Sequence, residues 1–220
     1  MTDFDQLRRR FKLPEGVIYL DGNSLGPLPL AAQGRMAHTL RDEWGEMLIT
    51  GWNQAGWMEM PRRVGDRIAR LIGAPDGTVV VGDTLSIKVY QALHSAIALR
   101  PGRRVILSDT GNFPSDLYMA QGLIESCERD LELRLVAPDE VADAIDDDLA
   151  VLLLTEVDYK TGCRHDMPAL TARAHEVGSL AIWDLAHSAG AFPVDVMGLS
   201  LIHISEPTRQ ICLSRMPSSA

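Results

Sequence analysis

Lysine is scarce in this sequence: only Lys12, Lys88 and Lys160 occur among 220 residues, although Lys and Arg together number 21. Chemistry that needs a lysine amine therefore has three candidates. Cys127, Cys163 and Cys212 are odd in number and far apart, which excludes a disulfide framework and leaves no zinc-ligand spacing. They are expected to be reduced thiols. No stretch approaches the ~20 apolar residues of a membrane span, and the amino terminus MTDFDQLRRRFK lacks the apolar segment of a signal peptide. A cytoplasmic protein with no membrane partner is expected. Positive charge is also short. A formal net charge of −9 repels a phosphate backbone, and the arginines are scattered, so no nucleic-acid partner is expected. Neither a G-x-x-x-x-G-K-[ST] loop nor a G-x-G-x-x-G fingerprint occurs, which argues against a nucleotide or dinucleotide fold.

An apolar fraction of 46% can fill a core. From about Val79 onward, short apolar runs alternate with stretches of helical period, the signature of β-α-β units. The fold class expected is α/β, a mainly parallel sheet flanked by helices. Strands are predicted over Thr78–Val81, Arg104–Ser108, Leu131–Val136, Leu149–Thr155 and Leu180–Asp184. The run Leu149-Ala-Val-Leu-Leu-Leu-Thr155 is apolar on both faces, as a strand covered on each side must be. Helices are predicted over Ser86–Leu99, Ser115–Cys127, Glu140–Ile145 and Pro168–Val177. Residues 1–75 differ: a turn-rich arm, Tyr19-Leu-Asp-Gly-Asn-Ser-Leu-Gly-Pro-Leu-Pro29, leads into a helix from Ala31 to about Leu48. The domain expected to follow spans 76–198, and the α/β rhythm stops at Gly198.

In parallel sheets ligands gather at the carboxyl ends of strands. After the first predicted strand, Gly82-Asp-Thr-Leu-Ser-Ile opens a helix with hydroxyls and free backbone N–H groups, either an anion cradle or ordinary helix capping by Thr84 or Ser86. After the next comes Gly111-Asn-Phe-Pro-Ser-Asp116, where Phe113 could stack on a planar ring or fill the core. Thr155 ends the central strand. Asp184-Leu-Ala-His187 puts a carboxylate at a strand end and an imidazole three residues on. A carboxylate there can keep a heterocyclic nitrogen protonated, whereas no third residue at a recognisable spacing supports a metal. His38, His94, His165 and His175 stand singly and are assigned no role. Trp44, Trp52 and Trp57 suit packing and a dimer surface.

In this order, the motifs resemble fold-type I pyridoxal-phosphate (PLP) enzymes and, within them, the kynureninase family. The resemblance rests on the Tyr19–Pro29 arm, Gly51-Trp52-Asn53, Asp83-Thr-Leu-Ser86, Gly111-Asn-Phe-Pro-Ser-Asp-Leu-Tyr118 and Trp183-Asp-Leu-Ala-His-Ser-Ala-Gly190. It covers the chain from about residue 10 to Gly198. It implies that Leu85 and Ser86 hold the cofactor phosphate and that Phe113 stacks on the pyridine within a contact segment Phe113, Pro114, Ser115 and Asp116. It further implies that Thr155 and His187 touch the cofactor and that Asp184 pairs with the ring nitrogen. The implied activity is hydrolysis of L-kynurenine or its 3-hydroxy form to an anthranilate and L-alanine, by a homodimer. Cysteine desulfurases and aminotransferase-like lyases share much of this pattern and are the alternative, as is a binding fragment without chemistry.

The family's Schiff-base lysine follows the Asp-x-x-His motif in a Tyr-Lys pair, but the corresponding region here reads Thr208-Arg-Gln-Ile-Cys212. No catalytic residue is therefore assigned, and the chain is expected to be an inactive amino-terminal half holding an incomplete large domain. The peptide Leu199-Ser-Leu-Ile-His-Ile-Ser-Glu-Pro-Thr-Arg209 matches the translation of a transposase sequencing adapter. Residues 199–220 are accordingly expected to be a non-native tail, with no strand in Glu206-Pro-Thr-Arg-Gln210 or Met216-Pro-Ser-Ser-Ala220.

Overall fold

A computed structural model describes residues 3–22, 24–197, 202–205 and 211–213, the last two segments by their backbone alone. It divides into two units, Met1–Pro61 and Arg62–Ala220.

In the first unit, helix α1 (Phe4–Arg8) is capped by Asp3, whose carboxylate accepts from Gln6 N at 2.9 Å. Strands β1 (Phe11–Lys12) and β2 (Leu28–Pro29) pair antiparallel. The single helix expected over Ala31–Leu48 is instead composite: α2 (Leu30–His38), a π-helical turn Thr39–Trp44, α3 (Gly45–Met47) and a 3₁₀ turn Leu48–Thr50, followed by α4 (Gly51–Gln54). The widened turn carries Glu43, which is only 4% exposed. Its carboxylate accepts from the Arg35 guanidinium and from Trp57 Nε1 at 3.0 Å, with His38 Nε2 at 3.5 Å. These partners, first the Arg35 hydrogen bond and then that of Trp57, hold the Glu43 carboxyl down at about 2. A depressed carboxyl stabilises the folded state above its unfolded value and loses that contribution as pH falls through the folded one. An acid titration of tryptophan emission should thus show a transition between 4.5 and about 2, and Glu43→Gln should remove it. Superimposable titrations would contradict this.

The second unit is built on helix α5 (Met60–Ile72), β3 (Val79–Val80), α6 (Leu85–Leu99), β4 (Val105–Asp109), α7 (Pro114–Ser126), β5 (Glu132–Val136), β6 (Leu149–Thr155), α8 (Met167–Glu176), β7 (Leu180–Asp184), β8 (Ile202–Ser205) and β9 (Ile211–Leu213). The sheet order is β3-β9-β8-β7-β6-β4-β5. Neighbours from β5 through β8 run parallel, while β9 is antiparallel to both β8 and β3. Side chains alternate across the sheet. Val105, Leu107, Leu152, Leu154 and Trp183 pack with residues of α5 and α8, whereas Ile106, Val151, Leu153 and Ile182 pack with α6 and α7. All seven residues of β6 are buried, as its doubly apolar sequence demands.

Two expectations need correction. Residues 140–145 form consecutive turns, with the N–H groups of Asp143 and Ala144 both donating to Glu140 O at 3.1 Å. Six residues followed directly by Asp146-Asp147-Asp148 are too few to propagate a helix, and burial of Val141 and Ile145 fixes the turns instead. The sheet also does not stop at Gly198, since β8 and β9 fill the gap between β7 and β3. Exposed edges of β7 and β3 offer unpaired backbone groups, and the Ile202-His203-Ile204 alternation suits a strand. Residues 206–210 and 216–220, expected to hold no strand, lie outside the described residues, as does the side chain of Cys212. Cys127 and Cys163 are free thiols.

Candidate active site at the carboxyl edge of the sheet

The chain runs from β4 outward to β5 and then returns past β4 to β6, so the strand order reverses between β4 and β6. Such a reversal opens a crevice at the carboxyl ends of the two strands. Asn112 spans it. Its Oδ1 accepts from Thr155 Oγ1 at 2.5 Å and from Phe113 N at 2.7 Å, and its Nδ2 donates to Ser108 Oγ at 2.9 Å. Ser108 Oγ in turn donates to Leu153 O at 2.7 Å. The end of β4 is thereby tied to the end of β6, and the turn into α7 is set. Asn112 and Ser108 were not singled out from sequence, because their hydrogen bonds depend on a strand some forty residues away.

Phe113 is the N-cap of α7 and Pro114 its first residue, whose fixed φ suits a helix start. The Phe113 ring remains 37% exposed. It meets Tyr159 edge to face with centroids 5.0 Å apart and His187 at 6.5 Å, and Tyr159 and His187 are themselves 6.5 Å apart. Phe113 is therefore an open ring at the crevice and not part of the core. His187 Nδ1 lies 2.9 Å from Val157 O. A carbonyl only accepts, so Nδ1 carries a hydrogen, and Nε2 is the ring nitrogen left for another partner.

One turn into α7, Asp116 is completely buried and its Oδ2 has no hydrogen-bond partner among the described residues. Burial, and secondly the negative charge of Asp184, push its carboxyl well above the ordinary carboxylate range, against a weak pull from Ser115 Oγ at 3.5 Å. Asp184, 2% exposed at the end of β7, accepts from Ala186 N at 2.7 Å through Oδ1. Two buried carboxylates in mutual repulsion, one with an unsatisfied oxygen, are suited to a cationic N–H group. A pyridinium nitrogen supplies one, so the residues present fit PLP.

Thr84 caps α6, its hydroxyl accepting from Ile87 N. Leu85 and Ser86 are the first two helical residues, whose N–H groups have no acceptor within the helix. The Leu85 side chain belongs to the core cluster shared with α7 and Ile182, so Leu85 can offer an anion its backbone N–H alone. Among the described contacts none joins Leu85 or Ser86 to Phe113, Thr155 or Asp184. Among the described residues no three His, Cys, Asp or Glu side chains are grouped to hold a metal, and no helix is long and apolar enough to cross a membrane.

Comparison with known proteins places this geometry in a family. The aminotransferase class-V family profile matches residues 18–205. A kynureninase from Pseudomonas fluorescens is 56% identical over 195 residues, covering 86% of this chain and 47% of that protein. A kynureninase from Burkholderia pseudomallei (strain 1106a) is 53% identical over 197 residues, covering 87% and 47%. The chain thus spans about half the length of the curated relatives it matches. Among solved structures, the cysteine desulfurase CsdA of Escherichia coli superimposes with a TM-score of 0.77 at 18% identity, covering 98% of this chain and 58% of that one. A C-DES mutant with glycine covalently linked to its PLP cofactor gives 0.71 at 13% identity, covering 94% and 59%. These structural likenesses speak for the fold, and the α/β architecture agrees with them. With the profile spanning most of the sequence, the chain belongs to the aminotransferase class-V family.

Proposed function

We propose that the whole protein binds PLP and hydrolyses L-kynurenine, or 3-hydroxy-L-kynurenine, to the corresponding anthranilate and L-alanine, as a cytoplasmic homodimer. The observation that carries the cofactor assignment is the buried pair Asp116 and Asp184 at the end of β7. The choice of substrate is supported by identity above 50% to kynureninases, whereas the desulfurases share only the fold. When bound, PLP supplies an electron sink for the carbanion left by α-proton removal.

The chain's own residues have separable tasks. Asp184 would hold the ring nitrogen in its charged form, with Asp116 as a second, neighbouring carboxyl. Phe113 would stack on the ring, Thr155 and His187 would offer it a hydroxyl and an imidazole nitrogen, and the first turn of α7, Pro114 and Ser115, carries Asp116 into place. The N–H groups of Leu85 and Ser86 receive the phosphate, favoured by the helix dipole. None of Lys12, Lys88 and Lys160 follows Asp184 in sequence. Lys88 Nζ is 3.6 Å from Asp83 Oδ2, and Lys160 Nζ lies over the Tyr159 ring at 5.2 Å. The amine that carries the cofactor is therefore assigned to a part of the whole protein beyond residues 76–198, and the 220-residue chain alone is expected to be inactive.

Incubating the protein encoded by the gene read past codon 198 with L-kynurenine should yield anthranilate fluorescence. Absence of turnover with either kynurenine, or release of sulfur from L-cysteine instead, would overturn the proposal. The same gene sequence tests residues 199–220: a different continuation is expected if they are adapter read-through, and their presence in genomic DNA contradicts it.

A further inference from the structure

Two irregular segments at the carboxyl edge carry the exposed aromatic rings: the 109–113 turn bears Phe113, and the loop from Glu156 to Asp166 bears Tyr159. Their rings meet at 5.0 Å with an interplanar angle of 65°. What holds the two segments together lies on the other face of the sheet. Asp109 continues the Val105, Leu107 alternation toward α5 and α8, whereas Thr155 and Asp184 continue the alternation toward α6 and α7.

Asp109 is 3% exposed. Its Oδ1 accepts from Gly111 N at 2.7 Å, closing the turn, and its Oδ2 accepts from His165 Nε2 at 2.7 Å. His165 is anchored in its own segment. Its backbone N–H donates to Glu156 O at 2.9 Å, its ring lies edge-on to Trp183 at 6.3 Å, and the neighbouring Val157–Arg164 bridge closes the loop. Within that loop Asp158 Oδ1 accepts from Lys160 N at 2.6 Å and Thr161 N at 3.1 Å. The turn and the loop touch, since a Cβ on Gly111 would stand 3.1 Å from Asp158 Oδ2.

The geometry points to Asp109 and His165 as a positioning clamp that, from behind the sheet, holds the Phe113 turn against the Tyr159 loop and so fixes the aromatic corner that receives a flat heteroaromatic ring. This rests on the proposal that the ring is that of PLP. Neither clamp residue touches the ligand. A hydrogen bond to a buried carboxylate is among the stronger kinds, and its loss leaves the buried Asp109 side chain with Gly111 N as its remaining partner. The turn then has no side-chain tie to the loop on this face, and Phe113 and Tyr159 can each move without the other.

The test uses the whole protein, with PLP binding followed by the circular dichroism induced in the cofactor's absorption and amide exchange measured without PLP. His165→Phe keeps a ring against Trp183 but has no donor, and His165→Gln restores a donor. The Phe variant should bind PLP about tenfold more weakly with a diminished induced signal, exchange in 109–113 and 157–165 should quicken about tenfold, and the Gln variant should recover most of both. Should the Phe variant not fold, Asp109→Asn, which keeps an acceptor for Gly111 but not the charge facing His165, should give the same pattern. Wild-type affinity and exchange in the Phe variant, or a Gln variant no better than it, would overturn the clamp. If the wild-type whole protein gives no induced signal, the cofactor assignment fails, and the exchange rates alone then decide whether the clamp exists.

Discussion

Asp184→Asn is expected to lower turnover of the whole protein by about 10²–10³-fold, the scale seen when one electrostatic partner of a reacting centre is removed. The substitution keeps shape and keeps an acceptor for Ala186 N, now 2.7 Å from Oδ1, so the β7 end should survive. What goes is the charge that keeps a ring nitrogen protonated. Asp116 cannot replace it readily, because burial, and secondly the charge of Asp184, push its carboxyl toward the neutral form. The two carboxyls behave as a unit: without a cation between them only one ionises easily, and a bound pyridinium favours ionisation of both. Asp116→Asn therefore makes a distinct prediction. A buried acid whose folded value is raised leaves stability in full below the unfolded value of 3.8, and stability is then lost as pH rises from there through the raised value. Urea midpoints of the chain should fall with rising pH in the wild type relative to Asp116→Asn. Parallel pH profiles, or an Asp184→Asn enzyme of near-normal turnover, would refute the paired role.

Legibility in the sequence followed how local each determinant is. The bounds of β6 and β7 coincide with the predicted 149–155 and 180–184, because continuous apolar runs between turn residues leave a buried parallel strand few alternatives. The other predicted strands, and α6, α7 and α8, shift by a residue or two. The π turn was hidden, since burying Glu43 depends on Trp57, fourteen residues on. Strands β8 and β9 needed the edges of β7 and β3 as partners, which the short Ile202-His203-Ile204 alternation alone does not supply.

For the site, the rule that ligands gather at strand ends selected Thr155, Asp184, His187 and Phe113 before any geometry was known. Contacts then link these four with Asp116. The rule could not show that Leu85 turns its side chain into the core. Nor could it rank His165, an isolated histidine by sequence whose partner Asp109 lies 56 residues earlier. The signal available was only that Asp109 also ends a strand, on the face away from the ligand.

The largest effect on stability is expected at Gly65, inside α5. On helix propensity alone Gly65→Ala should gain about 1 kcal/mol. Packing reverses the sign. A Cβ there would stand 2.0 Å from Val79 O and 2.6 Å from its carbonyl carbon, and backbone of a paired strand cannot swing aside as a flexible side chain can. Overpacking of well-filled cores costs about 1–3 kcal/mol and occasionally more, and a clash with backbone belongs at the upper end, leaving a net loss of about 2 kcal/mol or more. Gly122→Ala supplies the control: it lies inside α7 with no atom within 4 Å of its Cβ, so propensity acts unopposed and stability should rise by about 0.5–1 kcal/mol. Thermal melts of the two variants should move in opposite directions, and a stabilised Gly65→Ala would mean that α5 does not approach β3 so closely. The consequence reaches the site, because β3 leads through Gly82 and Asp83 to Thr84 and the first turn of α6. A displaced β3 would carry the N–H groups of Leu85 and Ser86 out of register, so Gly65→Ala should also weaken phosphate capture, while Gly122→Ala leaves it unchanged.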